Sequence, residues 1–528
     1  MAGGNELKAD ILIRNAKCLT MRDGFVADWI AMKGRNILSL GLSGEEHNLI
    51  GSDTTVIDAG GNSVLPGFID SHFHVVQTAL NAKCMDLSRV TGFDDIGFHI
   101  RNAIEKNKGK SITGIGLQME QLSEKCFPDR LILDQYCSNV PVWINSLDYQ
   151  VSMLNTYGLL YYKIPFNMDG VEKDSNDVAT GIIRGKANAV LRKSILDDIT
   201  DRYRKDVVSD IIPSLLSTGI TTVNAMEGGY MYSDKDANFI MEYKDDFPVD
   251  MVLFYQSLDL EKVRRNKLKR VGGSLYVDGT LGARTAALSF EYTDCSGRMG
   301  SLRYTQSELN EFVTECYNNN LQLSLYTIGD RAIDSALAAH EYALYHTGIT
   351  GLRHRLEHVV LANADHIKKA RELGIIFSMN PTYETYWGGP GKMYHERLGE
   401  NYVMTNMFRE IIDGGVLLVG GSDSDVTDFN PLTGICAAVN HPVEMHRVSV
   451  YEALEMYTTK ASYAIFEENI KGTLESGKLA DVIILDRDIL SAPEDAIDRI
   501  KVVATIKSGD IIYKKIKSED IKIESKDI

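Results

Sequence analysis

The chain has 528 residues, 44% of them hydrophobic and 24% charged, and its 56 basic and 73 acidic side chains leave a formal net charge of −17. That length supports a large core and points to one big domain plus a smaller one, while the negative charge repels phosphate backbones and anionic lipid and argues against nucleic-acid and membrane partners. No apolar run approaches the roughly eighteen residues of a membrane helix, the start "MAGGNELKAD" lacks a secretion signal's basic and apolar regions, and the seven cysteines show no Cys-x-x-Cys spacing, so a cytoplasmic protein with mostly buried thiols is expected.

In chain order, "ADILIRNAKCLTM", "DWIAMKGRNILSLG" and "TTVIDAGGNSVLPG" alternate apolar runs with Gly, Asn and Asp turns, the pattern of short strands. "GTLESGKLADVIILDRD" and "VVATIKSGDIIYKK" repeat that texture near the other end. Residues 1–64 and 470–528 are therefore expected to meet in one small β-sandwich domain. Between them lie eight strand-like runs: "VLPGFIDSHFH", "GITTVNAME", "VDMVLFYQ", "GGSLYVDG", "LQLSLYTIGD", "RHRLEHVV", "GIIFSMNP" and "VLLVGGSDSD". Helix-like segments such as "SELNEFVTECYNNN" and "DRAIDSALAAHEYALYH" separate several of them. The alternation predicts an α/β fold, a (β/α)8 TIM-type barrel over 65–469, with a doubly wound open sheet as the alternative. The stretch from about 75 to 204 is too long for one βα connection and holds strand-like pieces of its own, "TGIGLQM" and "VPVWINSLDYQ"; it reads as a subdomain inserted over the barrel mouth. The acidic tail "KSEDIKIESKDI" reads as a frayed end.

A barrel of this kind carries its chemistry at the C-terminal ends of its strands. The first run ends in His72 and His74, and residues two apart on a strand point the same way. The sixth ends in "RLEH" with His358 and the eighth in "GGSDSD" with Asp423, so three histidines and an aspartate from three strands can converge on one divalent ion. Each has a plainer reading: a histidine pair in a turn, a structural His358 sharing its run with His354, and an Asp423 that caps a helix while Asp425 competes for its role. Asp278 in "VDGTLGART" either orients substrate or forms a turn with Gly279, and Asp330 in "GDRA" reads as a helix cap. In "TYETYWGG", Tyr383 and Trp387 are candidates for a hydrophobic substrate wall, with packing against the insert as the other reading; His340 and His346 read as packing or surface residues.

Taken in order, "PGFIDSHFH", "DGTLGARTA", "TIGDRAID", "RHRLEH", "GGSDSDVTDFNPL" and "GTLESGKLADVIILD" resemble the amidohydrolase superfamily, and within it amidohydrolase family 3, the branch of YtcJ-like proteins and N-substituted formamide deformylases. The resemblance implies metal ligands at His72, His74, His358 and Asp423. It also exposes departures: Ser274 stands where the family's fourth strand has a bridging lysine, Tyr326 where the fifth has a histidine, and Gly185 where the insert has a glutamate. A second ion would then lack protein ligands, so one divalent ion is expected, zinc by default, with manganese, iron or nickel fitting the same donors. Asp423 would serve as general base, His358 would complete the coordination or polarise the substrate carbonyl, and Tyr326 would edge a weak site or donate to the oxyanion. The activity implied is metal-dependent hydrolysis of a carbon–nitrogen bond other than a peptide bond, an amide or formamide of a small molecule. Deaminase or esterase chemistry at the same site, or a catalytically silent barrel that binds a small ligand, are the alternatives. Nothing in the chain names a dimer interface, and a homo-oligomer is left open.

Overall fold

The computed structural model describes residues 8–107, 111–229, 232–515 and 522–524. The chain divides into two compact units, one of Met1–His74, Ile212–Met226 and Ile240–Ile528 and the other of Val75–Ile211 and Glu227–Phe239.

In the first unit the eight apolar runs become the eight strands of one sheet, in sequence order: Phe68–Phe73, Ile220–Glu227, Asp250–Tyr255, Arg270–Tyr276, Gln322–Thr327, Arg355–His358, Ile376–Met379 and Leu418–Gly420. A parallel bridge between Phe73 and Ser424 brings the eighth strand's continuation back to the first, so the sheet is a nearly closed barrel and not an open doubly wound sheet. Strands such as Asp250–Tyr255, buried from Met251 onward, read as continuous apolar runs because both of their faces are covered. The helices between them carry their own end signals. Thr305 and Glu308 form a reciprocal capping box ahead of Gln306–Asn318, and Gly348, at φ 64°, closes Asp330–Thr347 in the left-handed conformation that glycine adopts without strain. Asp330 is not that helix's cap: Gly329 holds the cap position, and the Asp330 carboxylate instead accepts the Ser289 backbone N–H at 2.9 Å.

Two smaller sheets complete this unit. One has five strands, in the order Lys522–Glu524, Thr55–Asp58, Ile11–Arg14, Trp29–Lys33, Asn36–Gly41; the other has six, drawn from Asp510–Lys514, Val502–Lys507, Val482–Leu485, Ser63–Pro66, Lys17–Leu19 and Val26–Ala27. Ile13, Ile30 and Ile57 of the first meet Val64, Ile484 and Val503 of the second in one apolar core. The tail is thus not wholly frayed, since Lys522–Glu524 adds an antiparallel edge strand beside Val56–Asp58; the rest of it lies outside the described residues.

The second unit has its own mixed six-stranded sheet, with Ile112–Leu117 and Val142–Ser146 at the two strand-like pieces seen in the sequence, over a core that includes Leu87, Ile100, Leu133 and Met153. All seven cysteines are free; Cys18, Cys137 and Cys316 are buried, Cys126 is exposed, and the remaining three are half-buried, so fewer thiols are fully enclosed than the expected majority. Among the described residues no helix is long and apolar enough to cross a membrane.

Candidate metal centre

The first strand ends in a run that its neighbours hold from three sides. The Asp70 carboxylate accepts the backbone N–H groups of His72 and Ser422, at 3.1 and 3.0 Å. Asp423 N–H donates to the His72 carbonyl at 2.9 Å, and His74 N–H to the Ser424 carbonyl at 2.8 Å. This lacing draws the end of the eighth strand onto the first so closely that a Cβ at Gly421 would stand 2.6 Å from the His72 nitrogen, a contact no other residue could make without moving the backbone.

Both imidazoles are fixed through Nδ1. His74 Nδ1 donates to the Met226 carbonyl at 2.8 Å, and His72 Nδ1 donates to Glu357 Oε2 at 2.8 Å. Each ring therefore presents the lone pair of Nε2, and each Nε2 lies 3.3 Å from Oδ1 of Asp423. The three donor atoms fall within 4.8 Å of one another, all buried, and His72 Nε2 makes no hydrogen bond among the described residues. Two lone pairs and a carboxylate oxygen repel one another unless something positive stands between them. The donor set of two imidazole nitrogens and one carboxylate oxygen fits a divalent cation of the zinc class. Without an ion the same field holds a proton: burial opposes it, but Asp423 and Glu357 push His72 up to about 9.

Glu357 is itself gripped. It is fully buried and accepts Arg355 Nε at 2.8 Å, Arg355 Nη2 at 3.0 Å and the Ser324 hydroxyl in addition to His72. Burial would raise its pKa, but the Arg355 charge and the His72 bond hold it well below the usual carboxylate range. Arg355 in turn donates to the Ser71 carbonyl at 2.6 Å and the Ser378 hydroxyl at 2.8 Å, so the anion that orients His72 is locked to three strands.

The backbone is strained where the site residues sit. Asp423 lies at φ 54°, His358 at φ 70° and Val359 at φ 47°, positive values that cost a residue with a Cβ, most of all a β-branched one. At His358 the break in strand geometry has a visible effect. Glu357 and His358 are adjacent, yet both come to His72, Glu357 through its hydrogen bond and His358 with ring centroids 4.9 Å apart.

His358 does not belong to the trio that lies at mutual ligand distance. Its Nδ1 faces Asn380 Oδ1 at 2.7 Å, burial holds it down to about 4, and its Nε2 has no hydrogen bond among the described residues. A neutral ring whose one N–H, at Nδ1, is donated to Asn380 Oδ1 presents a lone pair at Nε2, so it cannot polarise a carbonyl by donation. Tyr383 is not simply an apolar wall: its hydroxyl donates to Asp423 Oδ2 at 2.5 Å and its ring stacks on His358 at 5.9 Å. Trp387 packs edge-on against Tyr383 at 4.7 Å. Tyr326 is buried with its ring 4.5 Å from His358, and its hydroxyl donates to the Gly279 carbonyl at 3.3 Å. Asp278 is neither a free substrate contact nor a simple turn with Gly279. It is fully buried and accepts the backbone N–H groups of Ala287, Ile328 and Gly329 at 2.9, 3.1 and 2.8 Å, which brackets the loops after the fourth and fifth strands. Asp425 is half-buried, and the Ser274 side chain lies outside the described residues. His340 is wholly buried against Tyr317 and His354, whereas His346 packs on Tyr342 and Tyr345.

The amidohydrolase family model matches residues 55–513, almost the whole chain. The chain belongs to the amidohydrolase family. Two relatives illustrate the extent of the likeness. One is Protein LONG AFTER FAR-RED 3 of Arabidopsis thaliana, 26% identical over 90% of this chain and 87% of its own. The other is the N-substituted formamide deformylase of Arthrobacter pascens, 25% identical over 96% of this chain and 98% of its own. Among solved structures, an uncharacterized metal-dependent hydrolase from Pyrococcus furiosus superposes with a TM-score of 0.75 at 26% identity, covering 91% of this chain and 100% of that one.

Sequence reasoning passed over Glu357, Asn380, Asp70 and the Met226 carbonyl. Glu357 stood inside the quoted "RLEH", but strict strand alternation puts it on the face opposite His358; only the positive φ at His358 brings both to one place. A backbone carbonyl leaves no mark in a sequence.

Proposed function

We propose that the protein hydrolyses a carbon–nitrogen bond, an amide or formamide, of a small molecule, with a single divalent cation, zinc in the first instance, held by His72, His74 and Asp423. The observation that carries this reading is the convergence of the two Nε2 lone pairs and Asp423 Oδ1 in a buried pocket, with both Nδ1 atoms tied elsewhere. The N-substituted formamide deformylase among the relatives supports the bond class. When bound, a cation of this kind acidifies a water to near neutrality and polarises a carbonyl oxygen.

The chain's own groups divide the remaining work. Asp423 uses Oδ1 toward the cation site, and Oδ2, held by the Tyr383 hydroxyl, takes a proton from the attacking water and returns it to the departing amine. His358, neutral and acceptor-only at Nε2, orients that water or a substrate N–H. Tyr326 has only a 3.3 Å bond to a carbonyl to give up, and it donates to the oxyanion as the carbonyl carbon becomes tetrahedral.

The test is release of primary amine from a panel of N-formyl and N-acetyl amines by the purified protein, after dialysis against a chelator and after zinc is restored. Zinc-dependent release that Asp423→Asn abolishes is expected. No release from any member by zinc-loaded protein would contradict the proposal.

A further inference from the structure

The loop after the fourth barrel strand returns to that strand's C-terminal end, where Arg303 N–H donates to the Val277 carbonyl at 2.8 Å. The Arg303 side chain is exposed but not loose. Its Nε donates to the Asp278 carbonyl at 3.2 Å and its guanidinium lies 4.8 Å from the centre of the Tyr276 ring. In the same loop Arg284 pairs with Asp294, which also takes Arg397, whereas Arg303 has no carboxylate within ion-pair distance among the described residues, and its two Nη groups have no protein partner there. In a chain of net charge −17, an oriented and unpaired guanidinium at the active end of a barrel strand stands out from its surroundings.

What it leads to is equally specific. Tyr276, half-buried, meets Tyr326 at 4.4 Å; Tyr326, buried, meets His358 at 4.5 Å; His358 meets His72 at 4.9 Å. Three neighbouring strands thus present a row of rings that runs from an exposed cation to the buried metal-ligand set. A row of this kind matches a ligand with an apolar body, one anionic end and one end at the reacting centre. The planar fork of free Nη groups suits a carboxylate, which it can bind through two parallel hydrogen bonds.

We propose that Arg303 is the anion-recognising end of the substrate pocket, and that the substrate is an amide or formamide bearing a carboxylate, its apolar body lying along Tyr276 and Tyr326. The substrate class rests on the hydrolase reading above; the anion site does not. Binding is measured by calorimetry on the full-length chain dialysed against a chelator, with N-formyl-L-phenylalaninate and with N-formyl-2-phenylethylamine, the same skeleton without the carboxylate. The carboxylate is expected to bind about ten- to a hundredfold more tightly, as charged hydrogen bonds allow. Arg303→Gln, a change on an exposed side chain, should erase that preference and leave the uncharged compound within about twofold. Equal binding of the two compounds, a preference that survives Arg303→Gln, or no binding of either would overturn the proposal. Initial rates on the zinc-loaded protein separate the two readings: carboxylate-selective binding without any hydrolysis removes the hydrolase and keeps the anion site, whereas hydrolysis with no carboxylate preference does the reverse. Where hydrolysis occurs, Arg303→Gln should raise KM for the carboxylate and leave kcat in place.

Discussion

Glu357→Gln tests whether the buried carboxylate behind His72 is what prepares the metal site. The substitution keeps shape but removes the charge that Arg355 Nε and Nη2 and His72 Nδ1 all engage, at 2.8, 3.0 and 2.8 Å. A carboxamide has one acceptor oxygen and one donor group, and because Arg355 donates to both oxygens of Glu357, either orientation turns a donor toward Arg355, and one of them also toward His72. Arg355, wholly buried, is left without its counter-ion, at a cost of about 3–5 kcal/mol. With an unfolding entropy of about 2.1 cal/mol/K per residue, a chain of 528 residues loses about 3–5 °C in midpoint if it unfolds as one body. The second effect is on the ion: loss of the carboxylate that orients a ligating imidazole lowers metal affinity about 10- to 100-fold. The assay is a zinc titration against a competing chromophoric chelator, on variant protein whose near-ultraviolet circular dichroism matches that of the parent. A folded Glu357→Gln protein that binds zinc within about twofold of the parent would refute the role given to this carboxylate.

Tyr383→Phe removes the hydroxyl that donates to Asp423 Oδ2 at 2.5 Å and should lower the stability of the metal-free protein by about 1.5–3 kcal/mol without weakening zinc binding. Chemical denaturation in chelator and the same zinc titration check both halves; a drop in zinc affinity with unchanged stability would place the phenol at the ion instead. The buried pair His340 and His354 sets a pH dependence remote from the metal site. Burial holds His340 down to about 3, and burial together with His340 holds His354 well below its ordinary value, so the native state keeps both rings neutral where the unfolded chain protonates them. Their contribution is complete above the unfolded pKa of about 6.5 and declines as pH falls toward 3, reaching about 2 kcal/mol of loss from His340 alone by pH 5. Urea unfolding at pH 7.5 and 5.0 should show this loss, and His340→Leu should lessen it; identical pH dependence in parent and variant would contradict the assignment.

The barrel was readable because parallel strands covered on both faces are largely apolar, and eight strand-like runs recur in order with helices between several of them. His72, His74 and Asp423 were readable because strand ends at one face of a barrel are where polar residues interrupt such runs. The departures have local causes. Asp278 was open to two readings, a substrate contact or a turn with Gly279; the return of its loop places three backbone N–H groups on its carboxylate, a contact between segments distant in sequence. Tyr383 looked like an apolar wall because a sequence does not show that its hydroxyl ends on Asp423 across two strands. Positive φ at His358 and Asp423 broke the alternation on which any strand-based assignment of facing depends.

Metal content of the purified protein, measured by plasma mass spectrometry beside His72→Ala, reports directly whether His72, His74 and Asp423 hold an ion. About one divalent ion per chain is expected in the parent after zinc is restored, and its loss in the variant. No bound ion in the parent even after reconstitution, or an equal amount in His72→Ala, would contradict that assignment.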